Sequence, residues 1–160
     1  MLFEQRRLCN HNWYAHEAMA FLTDRVWLQI TIESETLSPE QISESVGMPP
    51  DLAKRIGEVR GHMGKCWERN VWQIRAMRQG TESTNAHDLL PLCIRELMQR
   101  AEAISTGLGR AVALLGGEFA IHVTSTSIPG ISLSNDQIRR LADLGLSLDI
   151  DIVLSAPDDQ

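Results

Sequence analysis

Asp149 and Asp151 are the residues whose type and spacing best suit a catalytic or cation-binding site, since they are two carboxylates two positions apart in an apolar run. Side chains two apart on a strand share one face, so the two carboxylates are predicted to be neighbours. His122 belongs to an earlier alternating run and is predicted to lie on the same face. A carboxylate pair with a histidine can serve acid–base catalysis or hold a cation, but no further ligand or nucleophile accompanies it here.

Two other interpretations of this acidic pair stay open. The carboxylates can be solvated charges that keep a sheet face from aggregating. They can also contact a basic partner, or the Arg-rich loop of a second copy. That loop belongs to a basic stretch from Lys54 to Arg78, whereas acidic residues dominate after Arg140. Such an uneven charge can steer a partner or pair two copies head to tail, or it can simply be solvated.

Two apparent ligand motifs do not withstand inspection. A phosphate loop needs Gly, four residues, Gly-Lys and then Ser or Thr, yet Val59 and Cys66 occupy the first and last of these positions. His62 and Cys66 have the i, i+4 spacing of a zinc-ligand pair, but glycines surround them and no second pair exists. No metal site, catalytic residue or cofactor is therefore predicted, and an enzyme is the less favoured of the interpretations that stay open.

The elements that position the polar residues form a unit from Phe119 to Leu154. Phe119–Thr124 alternates between apolar and smaller or polar residues, which indicates a half-buried strand. Ser134 and Gln137 then predict a capping box at a helix start, and Gly145 predicts its left-handed end. The alternating run Leu146–Leu154 follows as a second strand.

A weaker copy of this pattern occurs earlier in the chain. Val26–Glu33 alternates as a strand and is followed by a helix start with Ser38 as the cap, Pro39 at the first helical position and Gln41 completing the box. The pattern Leu-Ser-x-x-Gln-Ile thus occurs in both places, which favours an internal repeat.

The remaining elements are predicted from periodicity and turn residues. Asp51–Val59 is interpreted as a short helix, Val71–Ile74 as a short strand that closes the first unit, and Arg78–Asn85 as a polar turn. A long helix is predicted from Asp88 to about Leu115, with a break at the glycines near its end. Pro91 favours a start near Asp88, because proline is tolerated in the first helical turn.

Together these elements predict an α/β (α+β) fold: a two-layer sandwich in which a four-stranded sheet carries helices on one face. Two βαβ units joined by a long helix would give it ferredoxin-like character. The apolar faces of all strands would pack on the helices and leave the other face open. A tryptophan among polar groups makes that face a candidate binding surface. Its predicted members are Trp27, Gln29, Thr31, Glu33, His122, Thr124, Asp149 and Asp151.

Length and composition bound the interpretation further. The 160 residues predict a single domain at 23–155, preceded by an N-terminal arm at 1–22 and followed by an acidic tail at 156–160. A net charge of −6 weighs against a general nucleic-acid binder. No secretory signal or membrane span is predicted, and three distant cysteines suggest reduced thiols in a cytosol.

The chain resembles a bacterial family known as domain of unknown function 4279, over about Arg25 to Leu154. The resemblance rests on Leu37–Ile42, Val46–Pro49, the glycine-rich loop leading to Trp72, Ile131–Ser134, Leu141–Gly145 and Leu148–Asp151. It implies a small α/β bacterial domain and supplies no activity or catalytic residue.

The sequence thus favours a non-enzymatic interaction protein of the bacterial cytoplasm, which binds a protein partner or itself through the polar sheet face. An immunity or antitoxin-like role is one form of this hypothesis and rests on the small, acidic, single-domain character. The alternative is a small-ligand sensor or enzyme that uses His122, Asp149 and Asp151, which a cleft beside them would favour. Nucleic-acid binding through the basic stretch is disfavoured by the net charge.

Overall fold

The structure is a computed structural model that describes residues 23–61, 64–81, 83–108 and 116–154. The predicted arm at 1–22 and tail at 156–160 lie outside the described residues. The elements within them, in chain order, are β1 Arg25–Ser34, α1 Pro39–Val46, β2 Leu52–Lys54, β3 Val59–Arg60, β4 Lys65–Cys66, β5 Asn70–Gln79, α2 Ala86–Leu108, β6 Gly117–Ser125, α3 Asn135–Asp143 and β7 Ser147–Leu154.

The described residues form a five-stranded sheet in the order β2-β5-β1-β6-β7, with β3 and β4 as a separate hairpin. The α+β class is as predicted, but the four-stranded sheet is wrong. The fifth strand, β2, falls where a short helix was predicted at Asp51–Val59. Leu52–Lys54 instead pairs antiparallel with Val71–Gln73 of β5. This pairing satisfies backbone N–H and C=O groups that so short a segment could not pair within itself.

The ferredoxin-like arrangement is also wrong, because β1 pairs antiparallel with both β5 and β6. The first unit closes through α1 onto β2 at the sheet edge, and β5 is inserted between β1 and β2. The second unit is a βαβ unit as predicted, since α3 connects β6 to its parallel neighbour β7. A plain two-layer description further omits the β3–β4 hairpin, which forms a sheet of its own.

Both predicted helix starts are confirmed. Ser38 Oγ accepts from the Gln41 amide at 3.3 Å while Gln41 Oε1 accepts from the Ser38 amide at 2.8 Å. Ser134 and Gln137 repeat this exchange at 3.2 and 2.7 Å. Both helices are followed by glycines with positive φ, of 73° at Gly47 and 66° at Gly145. The capping box is therefore the same in the two units, whereas the helix ends differ, because the residue after α1 is Gly47 itself and Leu144 stands between α3 and Gly145.

The long helix begins two residues before the predicted start. Asn85 Oδ1 accepts from the Asp88 amide at 3.2 Å and Asp88 Oδ2 accepts from the Asn85 amide at 3.4 Å, so this pair caps the helix ahead of Ala86. Pro91 consequently lies in the second turn. The described helix ends at Leu108, and the predicted continuation to Leu115 lies outside the described residues.

The core lies on one side of the sheet, between the sheet and the helices. Alternate residues of β1 are fully buried there, together with Trp72 of β5, Phe119 of β6 and Leu97 of α2. Burying a large apolar side chain contributes roughly 1.5–3 kcal/mol, so this layer dominates the stability. Trp72 Nε1 also donates to Ser43 Oγ at 3.0 Å, which ties α1 to the sheet.

The apolar side of β7 departs from the prediction that every strand packs on the helices. Leu148, Ile150 and Leu154 are 52%, 45% and 54% exposed, although they share the core side of the sheet with Phe119. The reason is geometric: α2 packs mainly on β1 and β5, on the far side of β6 from β7, and α3 has only nine residues. None of the helices in the described residues is long and apolar enough to cross a membrane.

Candidate binding face

All the predicted face residues lie on the sheet side away from the helices. In β1, alternation buries every second residue and leaves Trp27, Gln29, Thr31 and Glu33 half-buried on the opposite side. The strand register places Trp27 opposite His122, and His122 beside Asp151. Since paired residues point to the same side of a sheet, the members on β6 and β7 share this side with those on β1. We call this surface the polar face.

A stacked pair of rings forms the centre of the polar face. The rings of Trp27 and His122 have centroids 4.7 Å apart and planes inclined by 22°. On the other side of Trp27, the register places Met77 of β5, which is 62% exposed. The polar face therefore carries an apolar strip, Met77–Trp27–His122, that runs across three neighbouring strands.

His122 is the most buried of the predicted face residues, with 9% of its surface exposed. Its Nδ1 lies 3.8 Å from Asp151 Oδ2, which is beyond hydrogen-bond length, and this nitrogen has no hydrogen-bond partner. Burial lowers the pKa of His122, while the carboxylates of Asp151 and Asp149 oppose that shift. The neutral imidazole is thus favoured, with one donor and one acceptor nitrogen.

Glu118 is a member of the polar face that the sequence interpretation missed. It lies opposite Thr31, and its neighbour across β7 is Ser147. Burial raises the pKa of Glu118, and the charges of Asp149 and Glu33 raise it further. The missed signal was available, because Glu118 continues the alternation of β6 by one step towards the N-terminus.

A chain of hydrogen bonds joins β1 to β5 across the polar face. Gln73 Nε2 donates to Thr31 Oγ1 at 2.8 Å, and Arg75 Nε donates to Gln73 Oε1 at 2.7 Å. Arg75 was missed because the strand was predicted to end at Ile74, whereas β5 continues to Gln79. Gln73 lay within the predicted strand but was not assigned to the face. The alternation of residues 73, 75, 77 and 79 with Ile74 and Ala76 was the available signal.

Charge is unevenly distributed over the polar face, and β1 in its middle carries charges of both signs. Lys54 and Arg75 lie on β2 and β5, whereas Glu118, Asp149 and Asp151 lie on β6 and β7. The apolar strip runs across β5, β1 and β6, from the strand of Arg75 to the strand of Glu118. Such an arrangement suits a partner with apolar groups at its centre and complementary charges around them.

The described surface also has a depression elsewhere. It is lined by Pro39, Ser43, Gly47, Pro49 and Ala53 among others, and none of its lining residues belongs to the polar face. Within the described ranges, no three His, Cys, Asp or Glu side chains are placed to hold a metal ion.

The comparison with known families decides the relationship of the chain. The model of the family described as Domain of unknown function (DUF4279) matches residues 24–155, from the residue before β1 to the residue after β7. The chain belongs to this family. The resemblance inferred from the sequence is thereby confirmed. No curated protein and no solved structure matches the chain. Membership of DUF4279 assigns no activity, so a role for the polar face has to be argued from its geometry.

Proposed function

We propose that this DUF4279 chain is a non-enzymatic protein-binding module of the bacterial cytoplasm that engages its partner through the polar face. The observation that carries the proposal is the apolar strip Met77–Trp27–His122 on a sheet face that no described helix covers. A half-buried tryptophan beside an exposed methionine in a polar surround is typical of interface centres. The antitoxin-like or immunity role stays a prediction from the sequence.

The stacking of Trp27 on His122 supports recognition because it orders the indole before a partner arrives. A side chain that is already ordered loses less conformational entropy on binding. The hydrogen bonds that join Thr31, Gln73 and Arg75 hold the neighbouring polar groups in the same way. A partner therefore meets a preorganised surface.

The experiment is quantitative affinity purification of the tagged full-length chain from its host, with wild type, Trp27→Ala and Trp67→Ala in parallel. Trp67 is a half-buried tryptophan beside Arg60 in the β3–β4 hairpin region, so it is a matched control for loss of an indole. We expect Trp27→Ala to weaken binding of the purified partner by about thirtyfold, the size of an interface hot spot. Equal recovery with Trp27→Ala and wild type would reject the proposal.

One observation favours a second candidate, a small-ligand sensor or enzyme. The Nδ1 atom of His122 is buried without a partner and lies near a carboxylate, so it is a polar group that a ligand could satisfy. A screen of metabolites and metal ions by thermal unfolding tests this candidate. A compound that raises the melting temperature of wild type, but not of His122→Gln, would support it over protein binding.

A further inference from the structure

β7 forms one edge of the five-stranded sheet. In the part of the chain that the structure describes, β6 is the one strand paired with β7, which has eight residues and ends the sheet. Its outward backbone groups extend for roughly 26 Å at about 3.3 Å per residue. The opposite edge strand, β2, has three residues. An edge as long as that of β7 is a template on which another extended segment can pair.

Of the usual means of blocking an edge strand, β7 has charged side chains, Asp149 and Asp151, and lacks lysine, proline and a bulge. Natural edge strands are commonly blocked by lysine, proline or a bulge. The sequence Ser147–Leu154 contains neither residue, and its register with β6 is continuous. Leu148, Ile150 and Leu154 are about half exposed on the core side, and Val153 is exposed on the polar face. A strand added beside β7 would remove part of this apolar surface from water.

The side chains of β7 also specify the charge of an added strand. Asp149 and Asp151 alternate with the apolar row and lie on the polar face. Glu118 of β6 lies behind them, and the carboxylate of Asp149 is close enough to raise its pKa. Opposite charges on neighbouring strands stabilise a sheet and like charges destabilise it. An added strand should therefore carry basic residues towards the polar face and apolar residues towards the core side.

A second copy of the chain fits this requirement poorly. Pairing β7 with the β7 of another copy would place four carboxylates, from two copies each of Asp149 and Asp151, on one side of the joined strands. A segment with lysine or arginine at alternate positions would instead be attracted electrostatically to these carboxylates. The charge pattern thus distinguishes between the two occupants.

We propose that β7 is a docking edge for an extended segment of a partner protein in which apolar residues alternate with lysine or arginine. The segment would add a sixth strand to the sheet, with main-chain hydrogen bonds giving affinity and the alternating side chains giving selectivity. The proposal deepens the proposed function: it rests on a protein partner and names the chemistry and conformation of the partner's contact with β7.

The test uses the full-length chain and fluorescein-labelled peptides of eight residues. The first peptide alternates valine with lysine, the second alternates valine with glutamate, and the third is the valine–lysine peptide methylated at alternate backbone nitrogens. We expect the first to bind at least about tenfold more tightly than the second, from the change of attraction to repulsion. Methylation should abolish binding, because it removes donors needed for strand pairing.

Protein variants locate the binding edge. Asp149→Lys should weaken the preference for the lysine peptide over the glutamate peptide, because one of the two carboxylates of β7 becomes a cation while Asp151 remains. Asp143→Lys is the matched control, since Asp143 is an exposed acid at the end of α3 and not on the sheet. It should leave the preference unchanged, although it alters the net charge by the same amount as Asp149→Lys. An equal weakening in both variants would mean that net charge alone selects the peptide, and it would overturn the proposal.

Other results would also overturn it. One is that the valine–lysine peptide fails to bind at a concentration of about 1 mM, which corresponds to only a weak free energy of binding. Another is that the methylated peptide binds as tightly as the unmethylated one. A dimer in sedimentation that the peptide fails to dissociate would mean that a second copy occupies the edge. Slow hydrogen exchange at the outward amides of β7 in the free monomer would mean that the chain itself covers them.

The two proposals fail separately. If Trp27→Ala releases the captured partner while the peptides do not bind, the polar face is upheld and the edge proposal falls. If the peptides bind β7 as described while Trp27→Ala leaves the captured partner unaffected, the edge is upheld and the apolar strip is not the centre of the interface.

Discussion

Two opposing effects act on the pKa of His122. Burial under Trp27 disfavours its cationic form, whereas the carboxylates of Asp151 and Asp149 favour it, and the net effect lowers its pKa. A partner or ligand that changes the solvation of the stacked pair would change that balance. The protonation of His122 is thus a sensitive report on the centre of the polar face.

Removing one carboxylate tests this description. Of the two carboxylates that raise the pKa of His122, Asp151 has the larger effect. Asp151→Asn removes this charge, so the pKa of His122 should fall further below its usual value. Titration of the imidazole carbon protons by NMR measures the shift. Asp143→Asn, on α3 and away from the sheet, should leave the titration unchanged. A higher pKa of His122 in Asp151→Asn would contradict the assignment of forces.

The same shift has a consequence for stability. Because the folded-state pKa of His122 is depressed, the neutral imidazole stabilises the fold above the pKa of the unfolded chain, and this contribution is lost as pH falls. The free energy of unfolding should therefore decline more in wild type than in His122→Gln between about pH 7.5 and pH 5.5. Urea denaturation at both pH values measures the difference, and parallel declines would refute it.

Glu118 has the opposite linkage, since an acid with a raised pKa is destabilising when ionised. Glu118→Gln removes the charge at nearly constant volume, so we expect it to raise the free energy of unfolding near pH 7. The gain should shrink as pH falls and Glu118 binds a proton in the folded state. Glu44→Gln, exposed on α1, is the matched control and should show no such gain. A pH-independent effect of Glu118→Gln would count against the mechanism.

At the scale of elements, local chemistry was predictable and pairing was not. The capping boxes at Ser38 and Ser134 need four consecutive residues each, so the sequence identifies them directly. The insertion of β5 between β1 and β2 depends on contacts between segments far apart in the chain. Short β2 has no alternation of its own to reveal it, because three residues are too few for a period.

The packing of α2 on α1 gives a prediction at this scale. At Gly107 an added Cβ would stand 2.7 Å from Val46 Cα and closer still to the carbonyl oxygen of Ser45, both rigid backbone atoms. Gly107→Ala should therefore destabilise the fold by roughly 1–3 kcal/mol, despite a helix-propensity gain of about 1 kcal/mol. Urea denaturation measures it, with the exposed Ser105→Ala in the same helix as control. A more stable Gly107→Ala would show that the helices are not in close contact.

At the scale of the whole molecule, alternation predicted the side of the sheet on which the polar residues of β1, β6 and β7 lie, but not the members that β5 and Glu118 contribute. Period-2 spacing follows from backbone geometry, so Trp27, His122 and Asp149 were assigned to the correct side. The basic residue that β5 contributes could be predicted only from the full length of this strand, which continues beyond the predicted end at Ile74. Likewise, the apolar row of β7 looks like core in sequence, since a pattern does not reveal whether a helix covers it.

The most direct test of the polar face is hydroxyl-radical footprinting of the full-length chain, free and in complex with its captured partner. Methionine and tryptophan oxidise readily, so Met77, Trp27 and Trp67 report on three places in one measurement. Binding through the polar face predicts that oxidation of Met77 and Trp27 falls in the complex while that of Trp67 is unchanged. Protection of Trp67 with continued oxidation of Met77 and Trp27 would contradict it.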